Sequence, residues 1–214
     1  MELKRGRMIT DSVRLVAPLA EGGMGSVWQA EHTGLDMQVA VKFILSDLAR
    51  DNPEAQARFK REALAAAKIR SPHVVQMLDH GVTSEGSLYI VMEFLHGANL
   101  GDKLLREGRM SLRVTSEIVA QVASVLERAH KLGIVHRDIK PDNIFVVDDE
   151  EDTFVKVLDF GVAKHKQTTP GRRLTAQGVL VGTPHYMSPE QVISARDIDQ
   201  RADVWALAVV AYQA

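Results

Sequence analysis

Eight consecutive residues, His136-Arg137-Asp138-Ile139-Lys140-Pro141-Asp142-Asn143, followed 16 positions after Asn143 by Asp159-Phe160-Gly161, constrain this chain more than any other feature. Pro141 has a fixed φ, lacks an amide hydrogen and biases Lys140 away from helical angles, so the run reads as a constrained loop kept out of a helix. On such a loop Asp138, Lys140 and Asn143 can converge. Transfer of a phosphoryl group needs a carboxylate to receive the proton of the attacking hydroxyl, oxygen ligands for Mg2+ and a cation beside the transferring phosphate. Asp138, Asn143 with Asp159, and Lys140 can supply these in turn. A polar surface turn would have to reproduce the whole run by accident.

The remaining composition narrows the setting. With 45% hydrophobic and 25% charged residues, the 214-residue chain has the balance of a folded globular protein, large enough for one sizeable domain or two small lobes. Its 26 Lys and Arg against 28 Asp and Glu leave a net charge of -2, which gives no broad footprint for nucleic acid. Cysteine is absent, which excludes disulfides, zinc-thiolate sites and thiol nucleophiles and fits a reducing compartment, so the expected location is cytoplasmic. The apolar stretch Val204 to Tyr212 is too short to span a membrane, and the polar residues after Lys4, Arg5 and Arg7 do not form a secretory signal. Any membrane tether of a parent protein would lie outside these residues.

Two halves are visible along the chain. Short β-branched runs at Val13 to Val16, Ser26 to Ala30, Val39 to Ile44, Val74 to Leu78 and Leu88 to Met92 predict an antiparallel sheet, interrupted by a helix from Pro53 to about Ile69. Apolar residues at Ile118, Val122, Val125, Leu126 and Ala129 predict a longer helix within Ser111 to Leu132, ending at Gly133. His96-Gly97-Ala98-Asn99 reads as a turn-like connector, so the expected division is 12–95 and 96–214. The acidic run Asp148 to Asp152 reads as a solvated hairpin turn.

Three further features bear on chemistry. Gly22, Gly23 and Gly25 lie between two strand-like runs, where backbone amides could cover a polyphosphate, although a plain hairpin turn would look the same. Lys42 ends the alternating run Val39-Ala40-Val41, where an edge lysine facing solvent is the alternative. Phe59, Glu62, Ala63, Ala66 and Ile69 share one face of the first helix, so Glu62 sits in an inward stripe and needs a cation. Lys42 is the candidate partner.

Together these motifs resemble a eukaryotic-type Ser/Thr protein kinase catalytic domain, of the kind also found in bacteria, over nearly the whole chain and in the family's order. The resemblance implies an α+β, two-lobed fold with a small β-rich N-lobe carrying one key helix and a mainly helical C-lobe. It implies an enzyme that uses ATP and Mg2+ to phosphorylate Ser and Thr hydroxyls of protein substrates, itself included. Asp138 would be the catalytic base, Lys140 its neighbouring cation, and Asn143 and Asp159 the Mg2+ ligands. Ala20, Gly22, Gly25, Val27, Ala40, Lys42, Glu93, Leu95 and Phe145 would surround ATP, with Met92-Glu93-Phe94-Leu95 as gatekeeper and hinge. Lys42 and Glu62 would form the strand-helix ion pair, and Ser188-Pro189-Glu190 occupies the family's Ala-Pro-Glu position.

Lys140 two residues after the base, and Gly182-Thr183 before Pro184, resemble Ser/Thr rather than tyrosine kinases. Arg137 offers a guanidinium to a phosphothreonine in 159–190, and Thr175 is the expected site, with Thr168, Thr169 and Thr183 as competitors. By resemblance Thr183 packs instead near the catalytic site. Ala20 departs from the pattern by replacing the first glycine of the loop, a tuning change. The resemblance also implies that the chain is truncated in or just after the lobe's central helix, without the later helices and the arginine partner of Glu190. The 214 residues alone are then expected to bind nucleotide weakly and turn over little. The alternatives are a nucleotide-binding pseudokinase or inactive fragment acting as an interaction module, which the intact Lys42, Asp138, Asn143 and Asp159 oppose, and a small-molecule phosphotransferase, which Arg137 and Ser188-Pro189-Glu190 oppose.

Overall fold

β-Branched and aromatic residues at alternate positions give a strand one buried face, and Val39, Val41 and Phe43 do this in β3 (Met37–Ile44). The structure, a computed structural model, describes residues 3–22, 25–44, 53–148, 152–160, 184–193 and 198–214, without the side chains of 53–55, 58, 62 and 184. The chain divides into two compact units, Met1–Ala67 with Val75–Leu95, and Lys68–Val74 with His96–Ala214.

In the first unit β3 lies at the centre of an antiparallel sheet whose order is β1-β2-β3-β5-β4. Its neighbours are β1 (Val13–Gly22), β2 (Gly25–His32), β4 (Met77–Val82) and β5 (Leu88–Glu93). One face buries Val13, Leu15, Trp28, Ala30, Val39, Val41, Phe43, Tyr89 and Val91, with Leu3 and Ile9 of the leading segment packed against them. Helix α1 (Pro53–Ala66) buries Phe59 and Ala63, and the Phe59 ring lies 6.4 Å from that of His80 in β4. The helix ends three residues earlier than its apolar stripe suggests. Ile69 is buried, but it belongs to the 68–74 segment of the second unit, ahead of Pro72.

That segment also corrects the strand expected at Val74 to Leu78. Val74 makes an isolated parallel bridge to Val157, while the strand proper begins at Met77. The reason is the outer edge of β8 (Phe154–Val157), in the three-stranded sheet β6-β7-β8 formed with β6 (Gly97–Asn99) and β7 (Ile144–Val147). The Val157 amide donates to the His73 carbonyl at 2.8 Å, and His73 Nδ1 donates to the Val155 carbonyl at 3.0 Å. On the same edge Gln121 accepts from the Val155 amide at 2.9 Å and donates to the Thr153 carbonyl at 2.6 Å. A helix side chain and a loop thus occupy backbone groups that an edge strand would otherwise expose.

Gln121 belongs to α3 (Leu112–Lys131), capped at Ser111 and buried along Ile118, Val122, Val125, Leu126 and Ala129, the stripe expected from the sequence. The 96–99 stretch is more than a turn, because residues 97–99 pair with β7 as β6. Gly97, at φ 136°, allows this: a Cβ there would stand 2.1 Å from the Val146 carbonyl oxygen. The hairpin between β7 and β8 surrounds the acidic run, of which 149–151 lie outside the described residues. Other α-helices among the described residues are α2 (Leu100–Glu107), capped by Asn99, α4 (Pro189–Val192) and α5 (Arg201–Gln213). α5 buries Ala202, Asp203, Ala206, Leu207 and Val210 and leaves Val204, Trp205 and Tyr212 exposed.

Candidate active site

The loop from His136 to Asn143 is built around a buried histidine. The Asp138 amide donates to His136 Nδ1 at 3.2 Å, so the ring hydrogen sits on Nε2, which donates to the Leu158 carbonyl at 2.8 Å. Burial holds the His136 pKa below its usual value, keeping the imidazole neutral. One ring therefore ties the loop to the backbone just ahead of Asp159, and the Phe160 ring packs edge-on against it at 4.7 Å.

Arg137 and Asp159 have φ of 62° and 57°, conformations that cost a non-glycine residue on the order of 1–3 kcal/mol and persist only when neighbours enforce them. For Arg137 the enforcing groups are visible. Its amide donates to Asp203 Oδ1 at 2.7 Å, and the His136 amide donates to Asp203 Oδ2 at 2.8 Å. Asp203 is wholly buried at the head of α5 and also accepts from His130 Nε2 at 2.8 Å. On the other side of Arg137, its carbonyl accepts from Gln191 Nε2 of α4 at 3.0 Å.

Pro141, expected to exclude a helix, instead begins a single 3-10 turn over Pro141–Asn143. Proline suits the first helical position, where its missing amide hydrogen costs nothing. The turn brings the buried Asn143 back onto Asp138: Asn143 Nδ2 donates to the Asp138 carbonyl at 2.7 Å and to Asp138 Oδ2 at 3.0 Å. The Leu158 amide donates to the Asn143 carbonyl at 2.9 Å. Lys140 Nζ lies 3.8 Å from Asp142 Oδ2 with a largely buried side chain. The second unit therefore gathers Arg137, Asp138, Lys140 and Asn143 on one loop bonded to the segment that leads into Asp159. Phe145, on β7, is opposite Asn99 and Lys156.

In the first unit, Ala20 pairs with Val27 and Gly22 with Gly25 across the β1–β2 hairpin. Lys42 sits between Val27 of β2 and Ile90 of β5, and Ala40 between Gln29 and Met92. A central position and partial burial distinguish Lys42 from an exposed edge lysine. Glu93 ends β5 with its amide donating to the Gln76 carbonyl at 3.0 Å and its carboxylate accepting from the Gln76 amide at 2.6 Å, two residues before Leu95. The Glu62 side chain, Gly23, Gly161, Thr168, Thr169, Thr175, Gly182 and Thr183 lie outside the described residues, so the Lys42–Glu62 pair and the phosphorylation sites do too.

The sequence reading left Asp203 and Gln191 without a role. A lone carboxylate heading the apolar run Val204 to Tyr212 was a usable signal, since a charge in such a run must be hydrogen-bonded. Gln191 gave no comparable signal.

The protein kinase domain family matches residues 14–214. Serine/threonine-protein kinase pkn3 of Myxococcus xanthus is 42% identical over 210 residues, covering 97% of this chain and 38% of the relative. PknA of Mycobacterium tuberculosis is 37% identical over 218 residues, covering 100% of this chain and 49% of the relative. The chain thus spans less than half the length of these two curated relatives. The crystal structure of the Mycobacterium tuberculosis PknI kinase domain superposes with a TM-score of 0.75 at 29% identity, covering 98% of this chain and 76% of that one. Members of this family use ATP and Mg2+ and act on proteins. With the two-unit α+β fold, the pinned catalytic-type loop and this match over nearly its whole length, the chain belongs to the protein kinase domain family.

Proposed function

We propose that this chain is the catalytic domain of a protein serine/threonine kinase, with 12–95 as N-lobe and hinge and 96–214 as C-lobe. The observation that carries the reading is the Asn143 side chain holding both the backbone and the carboxylate of Asp138. That bond fixes where the carboxylate points, and a positioned carboxylate is what a substrate hydroxyl needs to lose its proton.

Asp138 accepts the proton of the attacking Ser or Thr hydroxyl, and Lys140 offers positive charge beside it. With the Asn143 amide hydrogens turned to Asp138 oxygens, its Oδ1 is the atom left to ligate a cation. Asn143 and the Asp159 carboxylate together suit Mg2+, a hard ion usually held by one or two protein oxygens and the substrate phosphates. Bound there, Mg2+ would neutralise charge on the phosphates. Lys42, paired with Glu62, would hold the phosphates, and the hairpin carrying Ala20, Gly22, Gly25 and Val27 would cover them. Ala40, Glu93, Leu95 and Phe145 would line the base. Turnover then rests on positioning and charge, without a covalent intermediate.

Asp138→Asn tests the role of the base, because asparagine keeps an oxygen for Asn143 Nδ2 and loses the proton acceptor. Transfer to a generic protein substrate should fall by roughly 100-fold or more while ADP affinity measured by calorimetry is unchanged. Unchanged turnover would remove Asp138 from this role.

Activation would come through phosphorylation of Thr175 read by Arg137, with Thr183 reserved for the substrate-docking segment. A guanidinium suits bidentate capture of a phosphate. Mass spectrometry of protein incubated with ATP and Mg2+ should find phosphate on Thr175, and an active preparation without it would sink the assignment.

A further inference from the structure

We propose that Gln191 is a positioning residue for phosphoryl transfer: it fixes the peptide plane between Arg137 and Asp138 and thereby the direction of the Asp138 carboxylate. The inference rests on the kinase reading above. Gln191 lies in the short helix α4, and its Oε1 accepts from the Ser188 amide at 3.0 Å and the Ser188 hydroxyl at 3.3 Å. Those two bonds decide which way the side-chain amide faces, leaving Nε2 turned to the Arg137 carbonyl at 3.0 Å.

The target of that bond is the strained residue of the loop. Arg137, at φ 62°, can relax by rotating either of the two peptide planes beside it. The plane before it is held through its amide hydrogen by Asp203. The plane after it is held at both ends, through the carbonyl by Gln191 and through the Asp138 amide by His136 Nδ1. Within this set, Gln191 is the member that comes from α4, so its side chain links α4 to the loop carrying the base. The chemistry asks for an amide at this reach: glutamate would accept from Ser188 but could not donate to the carbonyl, and methionine would do neither.

The test compares wild type, Gln191→Glu and Gln191→Met for kcat, KM for ATP, thermal melting and hydrogen-deuterium exchange in the peptide covering Arg137 to Asn143. Gln191→Glu keeps the Ser188 contacts and so guards against simple loss of α4. Both variants should lose kcat by roughly 10- to 100-fold with KM for ATP unchanged, as expected of a misplaced catalytic group. Exchange in the 137–143 peptide should accelerate in both, while Gln191→Glu melts no more than a few degrees below wild type and stays folded at the assay temperature. Wild-type kcat in either variant, unchanged exchange, or a fall in kcat matched by loss of folded Gln191→Glu would each overturn the proposal. A folded wild-type protein with neither detectable turnover nor detectable ADP binding would instead sink the kinase reading and this inference with it, which separates the two failures.

Discussion

Gly22 and Gly25 face each other across the β1–β2 hairpin, yet they are glycines for different reasons. At Gly25, φ is 141° and a Cβ would stand 1.8 Å from the Phe43 carbonyl oxygen, so the approach of β2 to β3 demands glycine for the fold alone. At Gly22 nothing among the described residues lies within 4 Å of an added Cβ, and they make no such demand. Gly25→Ala should therefore destabilise the protein by roughly 2 kcal/mol or more. Gly22→Ala should leave the melting temperature in place and lower affinity for ADP, because an added methyl obstructs only a ligand approaching the hairpin. Thermal melts without nucleotide followed by ADP titration separate the two. Equal destabilisation by both would mean that the glycine cluster serves the turn alone. Sequence could not make this distinction, because both positions read as the same punctuation between strands. The meeting of Asp138 and Asn143 was legible, because residues at close spacing on one loop converge locally. Asp203 lies 66 positions from Arg137 and Gln191 lies 54 away, and their bonds to the loop exist only in the folded chain.

Elements were legible where a single periodic pattern decides them. The α3 stripe and its Ser111 cap are local facts, and so is the alternation in β3. β6 was hidden because three residues containing a glycine carry no period, and α4 because four residues carry none either. The edge of β8 was hidden for another reason: Gln121 looks like any polar position on a helix, and its use as a substitute for a missing strand depends on docking 32 to 34 residues away. That substitution can be tested. Gln121→Leu leaves the Val155 amide and the Thr153 carbonyl without these partners, and an unsatisfied buried group costs about 1–3 kcal/mol. The variant should lose about 2 kcal/mol in denaturant unfolding, with an intermediate loss for Gln121→Glu, which retains the acceptor for Val155. If Gln121→Leu unfolds at the wild-type midpoint, the edge is protected by the His73 segment alone.

Across the molecule, the titrating groups define a pH window for stability with two different walls. Burial lowers the His136 pKa below 6.5, outweighing the carbonyl of Leu158 and the nearby carboxylates of Asp203, Asp138 and Asp159, which raise it. The unfolded chain then binds the extra proton first. The stabilisation from neutral His136 is present above pH 6.5 and is lost as pH falls below it, by at most about 1.4 kcal/mol per pH unit for one proton. Hydrogen bonds to arginine or lysine lower the pKa values of Glu85, Glu117 and Glu127 below 4.5 and of Asp199 below 3.8, so these groups withdraw stability only at still lower pH. Burial raises Tyr89 and Tyr186 above 10.0, and their contribution is full below that pH and lost as pH rises through it. No helix among the described residues is long and apolar enough to cross a membrane. Urea unfolding from pH 5 to 8 should give a flat wild-type profile above about 6.5 and a decline below it, while His136→Leu should be less stable at pH 8 and decline less steeply on the acid side. The difference in slope isolates His136, because the carboxylates are common to both proteins and titrate lower. Parallel profiles would mean that protonating His136 does not open the loop, and the neutral, doubly bonded ring assigned to it would have to be abandoned.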